Sequence, residues 1–237
     1  MKLSAPIYRL KREAKRLSRE ENIPLHKALN RIAAKEGFSR WSLLVARLSA
    51  TAPARTLLAR LKPGDLLLLG GRPGHGKMQL SLQLTIEAIK SGCQGAFFTL
   101  EYGPTDVLDL FKKIEVNPTD FRDTFSLHDA DTICAEYIMA KLSAMPTNTL
   151  AVIDYLQILD QRRENPELIE QIRTLKAFAN EHSFILVFIS QIDRSYNESI
   201  RKCPGLDDVR LPNPLDLRLF SKACFLNNGE LEFLSIM

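Results

Sequence analysis

The sequence predicts an α/β fold, with a central, mostly parallel sheet flanked by helices and a small N-terminal α-helical unit before it. Three observations support this prediction. Apolar runs of strand length alternate with helix-length amphipathic segments after about residue 60. A glycine-rich turn separates the first such run from the first such segment. Before about residue 50, apolar residues recur only at helical spacing. We therefore divide the chain into a basic helical unit at 1–50, a linker at 51–59 and a nucleotide-binding domain at 60–237.

The composition is that of a globular protein and excludes several other classes. Of the 237 residues, 45% are hydrophobic and 25% are charged, which excludes a disordered or low-complexity chain. No apolar run approaches the ~18–20 residues of a membrane span, so we expect no membrane partner. The four cysteines stand far apart, without a CxxC pair, which argues against a zinc site or a disulfide framework. This cysteine usage favours a reducing cytoplasm.

Charge is distributed unevenly along the chain. The first 60 residues contain 14 Lys and Arg against 4 Asp and Glu, whereas the remaining residues contain 18 against 24. A basic N-terminal segment on a mildly acidic body predicts two units with different partners.

Three helices are predicted in the first unit. The first has apolar residues three and four apart with basic residues between them. The second begins at Pro24, which a first helical turn tolerates, and ends near Gly37. Ser39 can cap the third. The apolar positions of the first and third helices are Ile7, Leu10, Ala14 and Leu17, and Trp41, Leu44, Val45 and Leu48.

Residues 32–44 loosely match a helix-turn-helix, and two interpretations stay open. In one, the unit is a nucleic-acid-binding head whose Lys and Arg side chains neutralise phosphates of single-stranded or duplex DNA. In the other, the basic residues form a solvated face of a small bundle that docks on the body of the protein.

The second unit alternates strands and helices in a way that is typical of a parallel sheet covered on both faces. One helix carries Leu80 and Leu84 and ends near Gly92, a second carries Ile138 and Leu142, and a third begins at Asn165. The strands are predicted at 65–69, 96–100, 150–153 and 184–189, with a terminal hairpin at 223–226 and 231–234 around Asn-Asn-Gly.

The glycine-rich turn after the first strand matches the pattern GxxxxGK, and we call residues 71–78 the phosphate loop. Glycines let successive backbone N–H groups point inward and form an anion nest, at which the following helix directs its N-terminus. A lysine at the start of that helix adds a full positive charge for the outer phosphates. We therefore predict ATP binding by Gly71, Arg72, Pro73, Gly74, His75, Gly76, Lys77 and Met78.

Position 78 departs from the usual motif. Ser or Thr normally follows the lysine and offers Mg²⁺ a hydroxyl oxygen, whereas Met78 offers a thioether that this hard cation does not favour. Ser81 lies three residues further along the helix and faces elsewhere. Nucleotide binding can survive this change, but metal-assisted hydrolysis is expected to be slow or impaired.

Two carboxylates follow strands of the predicted sheet. Asp154 ends the strand at 150–153, and Glu101 follows the strand at 96–100. Because parallel strands end at a common sheet edge, where ligands bind in such folds, we expect both acids near the phosphate loop. Asp154 could anchor Mg²⁺, and Glu101 could polarise the attacking water. For each, the alternative is an acid that only terminates a strand.

Five motifs occur in the order found in the ATPase domain of DnaB-type replicative helicases, a branch of the RecA-like fold that residues 57–228 resemble. The resemblance implies that Lys77 binds phosphate, Glu101 activates water and Asp154 holds the metal. It also implies that Gln191 senses the γ-phosphate, and that the chain can form a homo-oligomer, a hexamer in this family. The motifs are GRPGHGK (71–77), FTLE (98–101), VIDYLQ (152–157), SQIDR (190–194) and DLR (216–218).

The loop at 193–214 corresponds to the family's channel loop, which faces single-stranded DNA. The alternative is an ordinary polar surface loop. Its candidate contacts are Arg194, Arg201, Lys202 and Arg210, with Tyr196 as a ring for base stacking.

The chain also departs from this family. A polar stretch that normally follows the fifth motif is replaced by Leu-Phe-Ser-Lys-Ala, and no basic strand that could supply an arginine finger precedes Met237. Such a finger contributes ~10³–10⁵ in rate, so we expect slow turnover. One alternative is a hydrolysis-dead module that binds nucleotide or DNA. A less favoured one is an ATP-driven regulator of the RecA-like clock and repair type, for which an intact Ser or Thr and paired acids are expected.

Overall fold

The computed structural model of this chain contains a seven-stranded sheet in its second unit. The strand order is β3-β2-β4-β5-β1-β6-β7, and neighbouring strands run parallel except for the antiparallel pair β6–β7. The α/β class predicted from the sequence is therefore confirmed. The strands are β1 (Leu66–Gly71), β2 (Gln94–Thr99), β3 (Phe125–His128), β4 (Thr149–Asp154), β5 (Ile185–Gln191), β6 (Lys222–Asn227) and β7 (Glu230–Ser235).

The structure describes residues 4–5, 7–44, 53–162, 164–197, 201–211, 213–227 and 230–236. The chain divides into two compact units, Met1–Arg55 and Thr56–Met237. Val45 and Leu48 of the predicted third helix, and residues 228–229 of the predicted hairpin turn, lie outside the described residues.

The first unit is helical, with α1 (Ile7–Glu20) packed on α2 (Leu25–Lys35). Their buried contact consists of Leu10 and Ala14 from α1 with Ala28 and Ile32 from α2. Pro24 immediately precedes α2, and the chain turns after it at Gly37, whose φ of +85° favours glycine. Residues 41–44 are helical as well. Part of the predicted linker at 51–59 also forms a helix, α3 (Pro53–Leu58), because proline suits a first turn and Leu57 is buried.

Helices cover both faces of the sheet. Phe98 and Phe188 lie on one face, in a cluster with Ile138 and Ile172. Gly95 faces the opposite helix so closely that an added Cβ would lie 2.4 Å from Thr85. Burial on both faces explains why the central strands are uninterrupted apolar runs. The helices are α4 (Lys77–Lys90), α5 (Pro104–Lys113), α6 (Ala135–Leu142) and α7 (Leu168–His182).

Two elements of the sheet domain were absent from the sequence prediction, and one boundary was wrong. Strand β3 has only four residues, all partly exposed, and it precedes the strand that we predicted as the third. Helix α5 was also not predicted. Helix α7 begins at Leu168 rather than at Asn165, because Pro166 favours extended backbone before it. The Asn165 amide instead donates to the Leu159 carbonyl at 3.1 Å.

No helix among the described residues is long and apolar enough to span a bilayer.

The close pairing of β1 with β6 gives a testable prediction. A Cβ on Gly70 would lie 2.6 Å from two ring atoms of Phe225, a fully buried side chain on the neighbouring strand. We expect Gly70→Ala to lower the free energy of unfolding by about 1–3 kcal/mol, because the ring must move within a packed core. Urea denaturation measures this change. Gly103→Ala is the control, since its Cβ would lie 3.6 Å from the nearest atom, an oxygen of Asp106. Equal stability of both variants would contradict the prediction.

Candidate functional site

The phosphate loop connects the end of β1 to the first turn of α4. Gly74 and Gly76 have φ values of +79° and +88°, and Gly76 is the N-terminal cap of α4. A Cβ at either position would meet no atom within 4 Å, so the backbone conformation rather than space requires glycine. The loop therefore joins curled backbone to a helix N-terminus, which is the geometry of an anion nest.

Lys77 lies over this loop. Its ammonium donates to the Gly71 carbonyl at 2.6 Å and to the Arg72 carbonyl at 3.0 Å. Partial burial lowers the pKa of Lys77, while the negative charges of Asp154 and Glu101 act in the opposite direction. Two carboxylates and one ammonium thus share a single electrostatic environment.

Asp154 ends β4 directly beside the end of β2. It is 4% exposed, and its Oδ2 accepts from Thr99 Oγ1 at 3.3 Å. Burial raises the pKa of Asp154 to about 7, and the charge of Glu101 adds to this effect, whereas Thr99 and Lys77 oppose it. Glu101 is held close by because its backbone N–H donates to Thr99 Oγ1 at 3.1 Å.

These groups surround one cavity of about 360 Å³, which is within the range of small-molecule sites. Of the predicted site residues, Gly71, Arg72 and His75 do not line it. Tyr102, Tyr155 and Lys113 do line it, but sequence reasoning missed them because no motif marks them and α5 was not predicted. The cavity is lined by Pro73, Gly74, Gly76, Lys77, Met78, Gln79, Glu101, Tyr102, Leu110, Lys113, Asp154, Tyr155, Ile189 and Gln191.

The cavity suits a nucleotide better than it suits a fully coordinated Mg²⁺. The nest and Lys77 can receive phosphate oxygens, and Asp154 offers a carboxylate to a metal. Met78 lines the cavity but contributes sulfur. Ser81 is fully buried, and its hydroxyl donates within α4 to the Met78 carbonyl at 2.9 Å. Within the described parts of the chain, no group of three or more His, Cys, Asp or Glu side chains could hold a metal ion.

Gln191 ends β5, where the loop at 193–214 begins. Its carbonyl accepts from the Arg210 N–H at 2.9 Å, and its side-chain oxygen lies 3.5 Å from the Arg210 guanidinium. Ile192 and Val209 form an antiparallel bridge beside this contact. The two ends of the loop are therefore paired next to the cavity.

The structure contradicts the prediction that Tyr196 is a ring for base stacking. Tyr196 is 4% exposed, its hydroxyl donates to the Arg201 carbonyl at 2.6 Å, and the Arg72 guanidinium lies 5.2 Å from its ring centre. The same guanidinium donates to the Tyr196 carbonyl. The ring is therefore used inside the protein, and Arg72 joins the phosphate loop to the loop at 193–214.

The other predicted nucleic-acid contacts of this loop are exposed: Arg194, Arg201, Lys202 and Arg210. Arg201 also donates to both carboxylate oxygens of the buried Asp208, at 2.9 and 2.8 Å. Asp208 accepts a further bond from the Gly205 N–H at 2.7 Å, so this part of the loop has a defined structure.

The raised pKa of Asp154 predicts a pH-dependent stability. An unfolded Asp loses its proton near pH 4, but native Asp154 loses it near pH 7. The native state binds more protons between these values, so the stability that this group contributes falls as the pH rises through that window. In EDTA, we expect Asp154→Asn to raise the free energy of unfolding at pH 8 by up to about 4 kcal/mol and to flatten the pH dependence. Urea denaturation across this range is the measurement. The exposed Asp131→Asn variant should behave as wild type, and a destabilised Asp154→Asn protein would contradict the prediction.

The link between Arg72 and Tyr196 gives a second prediction. A charge-assisted hydrogen bond contributes about 1.5–3 kcal/mol, so Arg72→Gln should speed amide hydrogen exchange in residues 193–197 by roughly tenfold or more. The exposed Arg122→Gln substitution removes the same charge elsewhere and should leave this exchange unchanged. Equal exchange in both variants would show that Arg72 does not hold the loop.

Comparisons with known proteins identify relatives of this site. The family model described as DnaB-like helicase C terminal domain matches residues 122–213, a range that contains Asp154 and Gln191 but not the phosphate loop. The replicative DNA helicase DnaB of Leifsonia xyli is 25% identical over 181 residues, which cover 63% of this chain and 40% of that protein. A probable replicative DNA helicase of Trieres chinensis is 26% identical, over 65% of this chain and 41% of that protein. The chain thus spans about two fifths of the length of the curated relatives that it matches.

Solved structures support the same fold. A DnaB-like replicative helicase whose interactions with primase were determined aligns over 96% of this chain and 74% of that one, with a TM-score of 0.58 and 18% identity. An ATPase domain aligns over 81% of this chain and 92% of its own length, with a TM-score of 0.57 and 18% identity. The RadB recombinase reaches a TM-score of 0.50 at 17% identity, over 78% of this chain and 94% of its own. The chain therefore has a RecA-like fold, and its sequence resembles the C-terminal domain of DnaB-like replicative helicases.

Proposed function

We propose that this chain is a RecA-like ATPase domain of the DnaB type that binds ATP and hydrolyses it slowly, on or near DNA. The observation that carries the proposal is the convergence of the phosphate loop, Lys77, Asp154 and Glu101 on one cavity. Curated relatives that are named replicative DNA helicases support the choice of nucleotide and of DNA.

The proposed mechanism assigns each polar group one task. Backbone N–H groups of the phosphate loop and the Lys77 ammonium hold the β- and γ-phosphates. Glu101 orients the attacking water and accepts its proton. Asp154 holds Mg²⁺, which when bound would neutralise charge on the phosphates. Gln191 is near enough to the cavity to contact the terminal phosphate and touches Arg210 of the loop at 193–214.

Slow turnover follows from two features of the same site. Met78 cannot replace the hydroxyl oxygen that Mg²⁺ prefers, and Ser81 bonds within its own helix. In addition, Asp154 with a pKa of about 7 is only partly ionised at neutral pH before a cation binds. Both features weaken metal binding more than they weaken phosphate binding.

These features also favour a second candidate, a hydrolysis-dead module that binds nucleotide or DNA. In that case the phosphate loop would still bind ATP, but the bound nucleotide would act only as a ligand.

We further propose that the protein works in the cytoplasm and assembles as a homo-oligomer, a hexamer by analogy with its family. All four cysteines are free thiols, which supports a reducing compartment.

The first test is steady-state ATP hydrolysis with Mg²⁺, with and without single-stranded DNA. We expect slow turnover that DNA stimulates and that Lys77→Ala abolishes, because the lysine supplies the full charge in the nest. The exposed Lys176→Ala variant, on α7, should keep wild-type turnover. Wild-type turnover no higher than that of Lys77→Ala would reject the ATPase proposal in favour of the hydrolysis-dead module.

The second test restores the missing ligand. We expect Met78→Thr to raise the Mg²⁺-dependent kcat by about tenfold or more, which corresponds to ~1.4 kcal/mol of transition-state stabilisation. Met78→Leu is the matched control, because it keeps the apolar bulk and adds no oxygen. If the Thr variant is no faster than the Leu variant, Met78 is not what limits hydrolysis.

A further inference from the structure

The exposed face of α1 is almost entirely basic. Five cationic side chains lie within an arc of about 120° around the helix axis, opposite the buried Leu10 and Ala14. They extend over roughly 15 Å along the helix. We call this set the α1 basic face, and its members are Arg9, Arg12, Lys15, Arg16 and Arg19, all of them exposed.

The charges of this face are barely neutralised within the protein. Arg16 lies 3.7 Å from Glu20, but both side chains are more than half exposed, so water and salt weaken the pair. The other four form no ion pair among the residues that the structure describes. On α2, by contrast, Arg31 pairs with Glu21, and Lys35 pairs with Glu13 at 3.4 Å. The free positive charge of the unit is therefore concentrated on α1 rather than on α2.

We propose that the α1 basic face binds the phosphate backbone of nucleic acid, independently of the nucleotide site. Four of its five members are arginines, whose planar guanidinium groups match phosphate oxygens in a bidentate way. A row of cations of this length can meet several successive phosphates, and such contacts give affinity without sequence specificity. The contact surface is thus the first helix and not the helix-turn-helix segment at 32–44.

An anionic membrane is the competing partner, and the packing of α1 argues against it. A helix that lies in a membrane interface must insert its apolar face into the lipid. In α1 that face is already used, because Leu10 and Ala14 are buried against Ala28 and Ile32 of α2. Only charge remains to attract a lipid surface, whereas charge alone is sufficient for a phosphate backbone.

The test measures binding of the full chain to a short fluorescein-labelled DNA duplex by fluorescence anisotropy, without nucleotide, over a range of salt concentrations. The test variant carries Arg9→Gln, Arg12→Gln, Lys15→Gln and Arg19→Gln. We expect its affinity at low salt to fall at least tenfold. The slope of log K against log[salt] should become shallower by about 3–4, because each neutralised phosphate contributes about 0.9.

A matched control removes the same charge from exposed positions of the second unit, with Lys90→Gln, Lys112→Gln, Arg122→Gln and Arg173→Gln. It should keep wild-type affinity and slope. Equal losses in both variants would show that only net charge matters, and unchanged binding in both would remove α1 from the interface. Either result overturns the proposal, as does tighter binding of wild-type protein to phosphatidylglycerol vesicles than to DNA.

Two further measurements keep these outcomes separate from folding and from the ATP site. If circular dichroism shows that the fourfold variant unfolds, the double variants Arg9→Gln/Arg12→Gln and Lys15→Gln/Arg19→Gln should each give about half the change in slope. Binding of a fluorescent ATP analogue should be the same in the fourfold variant as in wild type. Conversely, Lys77→Ala should retain DNA binding, so that failure of the ATPase proposal leaves this one standing.

Discussion

The parallel pairing of the central strands determines where the candidate site residues lie. Gly71 pairs with Gln191 across β1 and β5, and Thr99 pairs with Asp154 across β2 and β4. Because these strands end at the same sheet edge, an anion nest, two acids and a polar side chain converge on one cavity. The same convergence buries Asp154 near Glu101, and the raised pKa of Asp154 is the electrostatic consequence.

The sequence predicts the centre of this fold well and its edges poorly. Strands β1, β2, β4 and β5 are buried on both faces and so appear as apolar runs, and the phosphate loop is recognisable from its glycine spacing. Edge strand β3 is half-exposed and short, so it has no such pattern. The burial of Tyr196 could not be predicted either. Its ring packs against Arg72, 124 residues earlier in the chain, and an aromatic residue in a polar loop gives no sign of such a distant contact.

The two units carry different chemistry. The second unit concentrates negative charge where a cation and phosphates would meet, whereas α1 presents positive charge to solvent. Met78 leaves the nest and Lys77 intact but removes one oxygen ligand, so it separates phosphate binding from metal-assisted hydrolysis. A protein with this combination can bind ATP without turning it over rapidly.

Equilibrium binding of ATP, measured calorimetrically with and without Mg²⁺, tests the central claim most directly. The account predicts about one ATP per chain for wild-type protein, no binding by Lys77→Ala, and only a small gain in affinity from Mg²⁺, because Met78 supplies no oxygen. Absence of ATP binding by the folded wild-type protein would contradict the account. So would binding that Lys77→Ala leaves unchanged.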